Sequence, residues 1–307
     1  MPIRSHCTGH FPSVRFVDQE RKLWQPVTNQ LLADRPEERV RLRSIDYFEK
    51  RGVCPTSLIA VEKSGTLSGK LAKGRTDLLI YDRELKPLLL LEFKSPAVSI
   101  GVESAQQIAR YNMDVGAPFL CLSNGLLDYW FEMKPDDCIP LSKIPPRFTG
   151  NSIWIPTLDY WVSTGFVGTI SSKAPYISHL VTAWFSGEAA QNVISLNPKL
   201  PHTLAGLTHY YQVVEDLKTS HKIAFTLLSG DGTNTYLIAI KNVRGRNEAV
   251  LFLHLDPLYL GKDLRFRILK AQLDLEVNVD PSIQQYLLNA EDEYSTLPVY
   301  LDAMFSI

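Results

Sequence analysis

The sequence has few cysteines, no excess of charge of either sign and no long hydrophobic run. Four cysteines occur in 307 residues and none forms a CxxC pair, so reduced structural thiols are expected in preference to a disulfide framework. The formal net charge of −1 excludes a uniformly basic surface and leaves only a local patch for a nucleic acid. No segment reaches the roughly 18 apolar residues of a membrane helix. The first residues also lack the apolar stretch of a secretory signal, and we expect a cytoplasmic protein without membrane contact.

The N-terminal motif SHCTGH brings three potential metal ligands close together, namely His6, Cys7 and His10. A structural zinc site needs a fourth ligand, which the motif does not supply. The favoured alternative is a polar N-terminal segment without a fixed structure.

Chain length and composition predict about two domains. Residues 1–133 are predicted to form an α/β domain whose core spans residues 35–133. The Pro-rich stretch 134–152 is the best candidate for a linker. Residues 153–307 are predicted to form an α+β accessory domain that carries no chemical motif.

The core segment predicts a helix, three strands, a helix and two strands, in that order. Periodicity and turn residues place these elements at residues 35–55, 56–63, 76–82, 87–94, 101–116, 118–125 and 127–133. Asp34 is the predicted N-cap of the first helix. In the second region, the segments 178–194 and 203–218 are predicted to be helices, and a hairpin is predicted to turn at Gly230–Gly232.

Two charged residues end the most hydrophobic of these strands, LLLLEFK. Because side chains alternate across a strand, Glu92 and Lys94 share one face. Asp77 opens the preceding strand, and it lies beside Glu92 if the two strands pair. Adjacent carboxylates repel unless a cation lies between them, and Mg²⁺ prefers oxygen ligands. A lysine beside such a cation suits metal-assisted phosphodiester hydrolysis, although a plain ion pair is the alternative.

The pattern Asp77, Glu92-Phe93-Lys94 resembles that of the PD-(D/E)xK nuclease superfamily, with Thr76 in place of the usual proline. The helix that follows carries a glutamine and a tyrosine one turn apart, as in the QxxxY motif of the RecB-like branch. Six stretches resemble, in the same order, the N-terminal nuclease domain of type I restriction enzyme R subunits over about residues 20–133: RPEERVR, IAVEK, GRTDLLIYD, LLLEFKSP, QQIARYN and LSNG.

This resemblance implies a restriction-endonuclease-like core, in which helices flank a mixed central sheet. It implies that Mg²⁺, for which Mn²⁺ can substitute, is held by Asp77, Glu92 and the backbone carbonyl of Phe93. Lys94 would be the catalytic lysine.

The resemblance also assigns roles on the two helices. Gln107 would position the attacking water, Lys94 or a DNA phosphate, and Tyr111 would support it. Glu38 is the preferred helix-borne acid and Glu37 the alternative, because periodicity does not separate them. Further DNA-binding candidates lie nearby: Lys73, Arg75 and Arg110. A solvated basic loop is the alternative for Lys73.

The resulting hypothesis is a metal-dependent DNA endonuclease that acts in restriction or in defence against foreign DNA. The alternative is a nuclease fold that binds DNA or protein without cleaving. The segment GTLSGKL has the wrong glycine spacing for a phosphate-binding loop, and no nucleotide-driven motor is expected in this chain. The second domain is expected to supply specificity, a homodimer contact or a surface for a partner protein.

Overall fold

The computed structural model describes residues 1–18, 20–61, 77–135, 137–150, 154–185, 193–196, 209–216, 221–270, 273–289 and 296–307. The chain forms two compact units. The first unit contains residues 1–12 and 23–154, and the second contains residues 13–22 and 155–307. In the ranges described, no helix is both long enough and apolar enough to cross a lipid bilayer.

The helices and strands up to residue 141 are β1 (Ile3–Arg4), β2 (Ser13–Val17), β3 (Glu20–Gln25), β4 (Gln30–Ala33), α1 (Pro36–Lys50), β5 (Ile59–Val61), β6 (Leu78–Tyr81), β7 (Pro87–Phe93), α2 (Val102–Val115), β8 (Phe119–Ser123), β9 (Leu127–Lys134) and β10 (Asp137–Leu141). Seven described strands form the sheet of the first unit, in the order β5-β6-β7-β8-β9-β1, with β10 also paired to β9. The β7–β8 pair is parallel and the other pairs are antiparallel. The predicted α/β class with a mixed central sheet is therefore confirmed.

Strand β7 lies in the interior of this sheet, between β6 and β8. Its leucines make it apolar on both faces. Leu89, Leu90 and Leu91 are fully buried, as expected for a strand that is covered on both sides. On one face, Leu90 belongs to a buried cluster with Ile108 of α2. Helix α2 ends at Gly116, whose left-handed conformation (φ 71°) suits glycine.

Helix α1 begins at Pro36 and has acidic residues in its first turn, which complement the positive end of the helix dipole. Its N-cap is Arg35, which makes no capping hydrogen bond, so the predicted cap at Asp34 is wrong. The Asp34 carboxylate instead accepts two hydrogen bonds from Arg39, at 2.5 and 2.7 Å. A bidentate guanidinium is a stronger partner for a carboxylate than a single backbone amide.

The N-terminal segment is ordered, so the prediction of a segment without fixed structure is wrong. His6, Cys7 and His10 are buried. The backbone amide and Nδ1 of His6 both bond to Oδ2 of Asp128, at 2.7 and 2.6 Å. His10 Nδ1 lies 2.7 Å from Oδ2 of Asp46. Both carboxylates lie far along the chain, and the local sequence does not reveal them.

A buried arginine of α1, Arg43, also binds the N-terminal segment. The residues that hold this segment, His6, Cys7 and His10 with Asp128, Asp46 and Arg43, form what we call the N-terminal anchor. The guanidinium of Arg43 donates to the carbonyl oxygens of Cys7, His10 and Gly125, at 3.0, 2.9 and 3.1 Å. Gly125 adopts a positive φ of 77°, and a Cβ there would lie 2.8 Å from the Arg43 guanidinium. The turn between β8 and β9 therefore requires both the conformation and the small size of glycine.

The stretch 134–152 is part of the first unit, which corrects its interpretation as a linker. Strand β10 pairs antiparallel with β9 over five residues. Phe148 is buried, and its ring stacks on Trp130 with centroids 5.5 Å apart. The prolines had suggested a linker, but Pro140 is tolerated because β10 lies at an edge of the sheet. Residues 13–22, predicted to lie in the first domain, belong to the second unit.

The second unit is built on an antiparallel sheet with helices. Its elements from residue 158 onward are α3 (Leu158–Ser163), α4 (Pro175–Phe185), β11 (Val193–Leu196), β12 (His209–Asp216), β13 (His221–Ser229), β14 (Thr235–Val243), β15 (Arg246–His254), α5 (Asp256–Tyr259), β16 (Arg265–Lys270), β17 (Leu273–Asn278), α6 (Pro281–Asn289) and α7 (Thr296–Phe305). The seven described strands are ordered β11 to β17 as in the chain. The hairpin predicted to turn at Gly230–Gly232 is present as β13–β14.

Two helix predictions in this unit are wrong in part. Residues 209–216, predicted to be helical, form β12, which pairs with β11 and β13. The sequence HYYQVVED is rich in aromatic and β-branched residues, which fit a pleated surface. The helix predicted over 178–194 ends at Phe185, and residues 193–196 form β11. Pairing between consecutive strands outweighed the local helical pattern.

Candidate active site

The pairing of β6 with β7 places two carboxylates side by side. The strands are antiparallel with Leu78 opposite Leu91, so the next pair outward is Asp77 and Glu92. The backbone amide of Phe93 donates to Oδ2 of Asp77 at 2.7 Å, which fixes the aspartate against the end of β7. The sequence predicted this juxtaposition on the condition that the two strands pair, and they do pair.

Lys94 pairs with only one of the two oxygens of Glu92. Its Nζ donates to Oε1 at 2.8 Å. The Glu92 side chain is 7% exposed, and its buried Oε2 has no hydrogen-bond partner among the residues that the structure describes. An unsatisfied buried carboxylate oxygen is costly. A divalent cation shared with Asp77 would remove this cost, so the residues present fit a metal that takes oxygen ligands.

The pKa values of the site residues also indicate a site that favours a cation. Burial raises the pKa of Glu92 to about 7, with a further contribution from the charge of Asp77, against the opposing effect of Lys94. Burial also raises the pKa of Asp77, although the Phe93 amide and nearby cations oppose this. Burial alone would lower the pKa of Lys94, but its bond to Glu92 and the charges of Asp77 and Glu37 outweigh burial and raise it. Negative charge is therefore in excess, as a cation site requires.

Both candidate acids of α1 act on the site through their charge. Glu38 raises the pKa of Asp77, whereas Glu37 acts on Glu92. Glu38 is the more enclosed of the two, since its side chain is 21% exposed and pairs with Arg41 one turn later, while Glu37 is exposed. The structure thus brings both acids near the carboxylates and favours Glu38 by enclosure.

The predicted pair on α2 is formed, although it bonds internally. Gln107 Nε2 donates to the hydroxyl of Tyr111 at 2.9 Å. Strand alternation places Glu92 on the same face as Leu90, and α2 packs on this face through Ile108. In the part of the chain described, no hydrogen bond joins Gln107 to the carboxylates or to Lys94. Arg110 on the same helix is exposed.

Two of the predicted DNA-binding residues, Lys73 and Arg75, lie outside the described residues. Sequence reasoning missed one side chain that the structure adds, Arg41, which is 10% exposed and pairs with Glu38. The sequence PEERVR indicated this pair, because Glu38 and Arg41 are three residues apart and are therefore neighbours on a helix.

A second group of potential metal ligands lies in the N-terminal anchor. Ligand atoms of His6, Cys121 and Asp128, all buried, lie within 4.8 Å of one another. The direct hydrogen bond between His6 and Asp128 accounts for this proximity. Cys121 is a buried thiol whose pKa is raised well above its ordinary value, chiefly by burial, and a thiol in this state is a weak ligand.

Comparison with known proteins relates one segment of the chain to a family. Residues 36–145 match the family model of the type I restriction enzyme R protein N terminus. The match contains both site helices, the carboxylates and Lys94, and it extends through β10 into residues 134–145 of the stretch interpreted as a linker. Neither a curated protein nor a solved structure matches the chain. The match is consistent with a restriction-enzyme nuclease-like domain over residues 36–145, and the second unit has no counterpart among these matches.

Proposed function

We propose that residues 36–145, a domain of the type I restriction enzyme R protein N-terminal family, contain the active site of a Mg²⁺-dependent endonuclease that hydrolyses phosphodiester bonds in DNA. The observation that carries this proposal is the buried, unpartnered Oε2 of Glu92 beside a second carboxylate, Asp77, and a lysine. The restriction-endonuclease-like core and the role in defence against foreign DNA are part of the same proposal.

The metal would be held by the carboxylates of Asp77 and Glu92 and by the backbone carbonyl of Phe93. When bound, Mg²⁺ polarises a phosphate and lowers the pKa of water. Because the Phe93 amide already holds Asp77, the aspartate is positioned before a cation arrives. A site on a central strand is held more precisely than one on a loop.

Lys94 acts as a cation and not as a general base. Its pKa is raised, because its bond to Glu92 outweighs its burial, and its ammonium therefore stays protonated near neutral pH. A protonated Nζ can donate to a phosphate oxygen and offset the charge that develops during phosphodiester cleavage. Its position two residues after Glu92 keeps it on the same side of β7.

Gln107 serves to orient the water or the phosphate. Its Nε2 is engaged with Tyr111, which fixes the side-chain amide and leaves the amide oxygen as an acceptor. Tyr111 packs against the apolar cluster of the sheet, so the hydroxyl that holds Gln107 is itself anchored. Glu38 would complete the site from α1.

A cleavage assay tests this function. The full chain is incubated with supercoiled plasmid and with linear DNA in Mg²⁺, Mn²⁺ or EDTA, beside the variants Asp77→Asn and Glu92→Gln. We expect metal-dependent nicking by wild type and a loss of about 10³-fold in each variant. Equal nicking by wild type and both variants would overturn the proposal.

The alternative function, a DNA- or protein-binding module, is separated by calorimetry. Titration with Mn²⁺ should release heat in wild type and not in Glu92→Gln. A wild-type protein that binds DNA without binding Mn²⁺ would establish the binding module instead.

A further inference from the structure

Arg41 is a buried cation in the region of the candidate site. It lies on α1, its side chain is 10% exposed, and one terminal nitrogen, Nη2, donates to Glu38. Its Nε is buried and has no hydrogen-bond partner in the described part of the chain. Its positive charge also acts on Asp77, where it lowers the pKa against the larger effect of burial.

The unpartnered Nε alone does not single out Arg41. Arg39, two residues earlier on α1, also has one buried nitrogen, Nη1, without a partner. Arg39, however, donates two parallel hydrogen bonds to the carboxylate of Asp34. This is the bidentate geometry of a strong guanidinium–carboxylate pair. Arg41 differs from Arg39 in two ways. It makes a single hydrogen bond to Glu38, and its charge also lowers the pKa of Asp77.

The position of Arg41 depends on the negative charges of Glu38 and Asp77, which a bound metal would neutralise. With no cation, Arg41 offsets the charges of Glu38 and Asp77. A divalent cation shared by the acids would reduce the charge that Arg41 balances and leave a buried guanidinium without a full counter-charge, which is costly. A phosphate diester supplies an anion, and the planar guanidinium suits two of its oxygens.

We propose that Arg41 is a phosphate-binding residue that changes partner: Glu38 holds it in the metal-free site, and a non-bridging oxygen of the DNA backbone holds it when a divalent cation occupies the carboxylates. DNA binding and metal binding then reinforce each other through one side chain. The inference rests on the proposed function, since it concerns the same site. It adds a substrate contact that the sequence pattern did not assign.

The test is DNA binding in the presence and absence of a cation. Fluorescence anisotropy of a short labelled duplex is measured with the full chain in Ca²⁺, used in place of Mg²⁺ to limit cleavage, and in EDTA, over a series of salt concentrations. The proteins are wild type, Arg41→Gln, Arg41→Lys and Glu38→Gln, with Arg39→Gln as the matched control from the same helix.

In Ca²⁺, Arg41→Gln should weaken binding by roughly 10-fold and lower the salt slope by about one phosphate contact. In EDTA the same substitution should change affinity less than about 2-fold, because Glu38 already holds Arg41. Glu38→Gln should tighten binding in EDTA by releasing Arg41. Arg41→Lys should recover part of the affinity, since it restores the charge but not the planar fork.

An equal loss in Arg41→Gln with and without Ca²⁺, or the same loss in Arg39→Gln, would overturn the inference in favour of a structural role. If Arg41→Gln does not fold, as judged by circular dichroism and melting, Glu38→Gln and Arg41→Lys decide the matter. Cleavage by wild type in Mg²⁺ without any dependence on Arg41 would overturn this inference alone. Cation-dependent binding through Arg41 without cleavage would overturn the nuclease and leave the phosphate contact in place.

Discussion

Two Glu-x-Lys sequences in the described part of the first unit form ion pairs of almost equal length. Glu92 and Lys94 lie at the end of β7 and directly after it, and Glu132 and Lys134 lie at the end of β9. Their nitrogen–oxygen distances are 2.8 and 2.7 Å. Their exposure differs, because the glutamate and lysine side chains are 7% and 23% exposed in the first pair and 33% and 48% exposed in the second.

The neighbours of the two glutamates differ even more. Asp77 directly precedes β6, and continuing the register past the pair Leu78–Leu91 places it across from Glu92. Glu132 lies opposite Phe119 on β8 and Ile139 on β10. A short motif therefore does not make a site by itself. Burial and a second carboxylate turn an ordinary surface ion pair into a group that can hold a cation.

The largest difference is expected in catalysis. Lys94→Met should lower the rate of plasmid nicking in Mg²⁺ by about 10²–10³-fold, because a charge that faces the developing transition state is lost. Lys134→Met, the matched change in the exposed pair, should stay within about 2-fold of wild type. Comparable losses in the two variants, measured as initial nicking rates, would mean that the buried pair has no special role.

The next difference is expected in metal affinity. Glu92→Gln should weaken the binding of Mn²⁺, measured by calorimetry at pH 7.5, by at least about 100-fold, since even residues behind the ligands typically cost 10–100-fold. Glu132→Gln should leave the affinity unchanged. Weaker binding in Glu132→Gln alone would place the cation at the exposed pair and refute the assignment.

Glu92→Gln should raise the stability of the protein, although it lowers its activity. Burial raises the pKa of Glu92 to about 7, so the metal-free wild type loses stability as pH rises from the unfolded value of roughly 4.3 through 7. Glu92→Gln removes this cost but also loses the bond to Lys94. We expect a net gain of about 1 kcal/mol above pH 7, or roughly 2–4 °C in melting temperature, and no gain near pH 4.

The control for this gain is Glu132→Gln, which should move the melting temperature by less than about 1 °C at either pH, because its carboxylate is partly exposed. A gain in Glu92→Gln that persists at pH 4 would show that something other than the buried charge is responsible.

The smallest effect concerns the exposed pair itself. A double-mutant cycle over Glu132 and Lys134, measured by urea unfolding, should give a coupling energy of about 0.2–1 kcal/mol that shrinks in 1 M salt. The same cycle over Glu92 and Lys94 should keep more of its coupling in salt, because buried charges are screened less. Equal salt sensitivity would remove the distinction between the two pairs.

Much of the candidate site could be read from the sequence because it depends on local rules. Alternation along β7 places Glu92 and Lys94 together, and the neighbouring hairpin strand brings Asp77 to them. The helix with Gln107 and Tyr111 follows from its period. The identity of the helix-borne acid did not follow, since Glu37 and Glu38 both reach the site through charge and differ mainly in enclosure.

The parts of the fold that escaped prediction depend on contacts with neighbouring strands and side chains, which the local pattern does not show. Strand β12 reads as a helix by its local pattern and is a strand because β11 and β13 flank it. The stretch after β9 reads as a linker because of its prolines and is ordered because β9 offers an edge and Trp130 a ring to stack on. Neither the edge nor the ring is visible from the local sequence.

The N-terminal anchor has a consequence for how the protein is made. His6 binds Asp128, which lies 122 positions further along the chain, and β1 pairs with β9. At a synthesis rate of roughly 5–20 residues per second, the N-terminal segment waits about 6–24 seconds on the ribosome before its partner has been added. During this interval, His6 and strand β1 are without their native partners. The sheet that carries Glu92 is complete only after translation has passed β10.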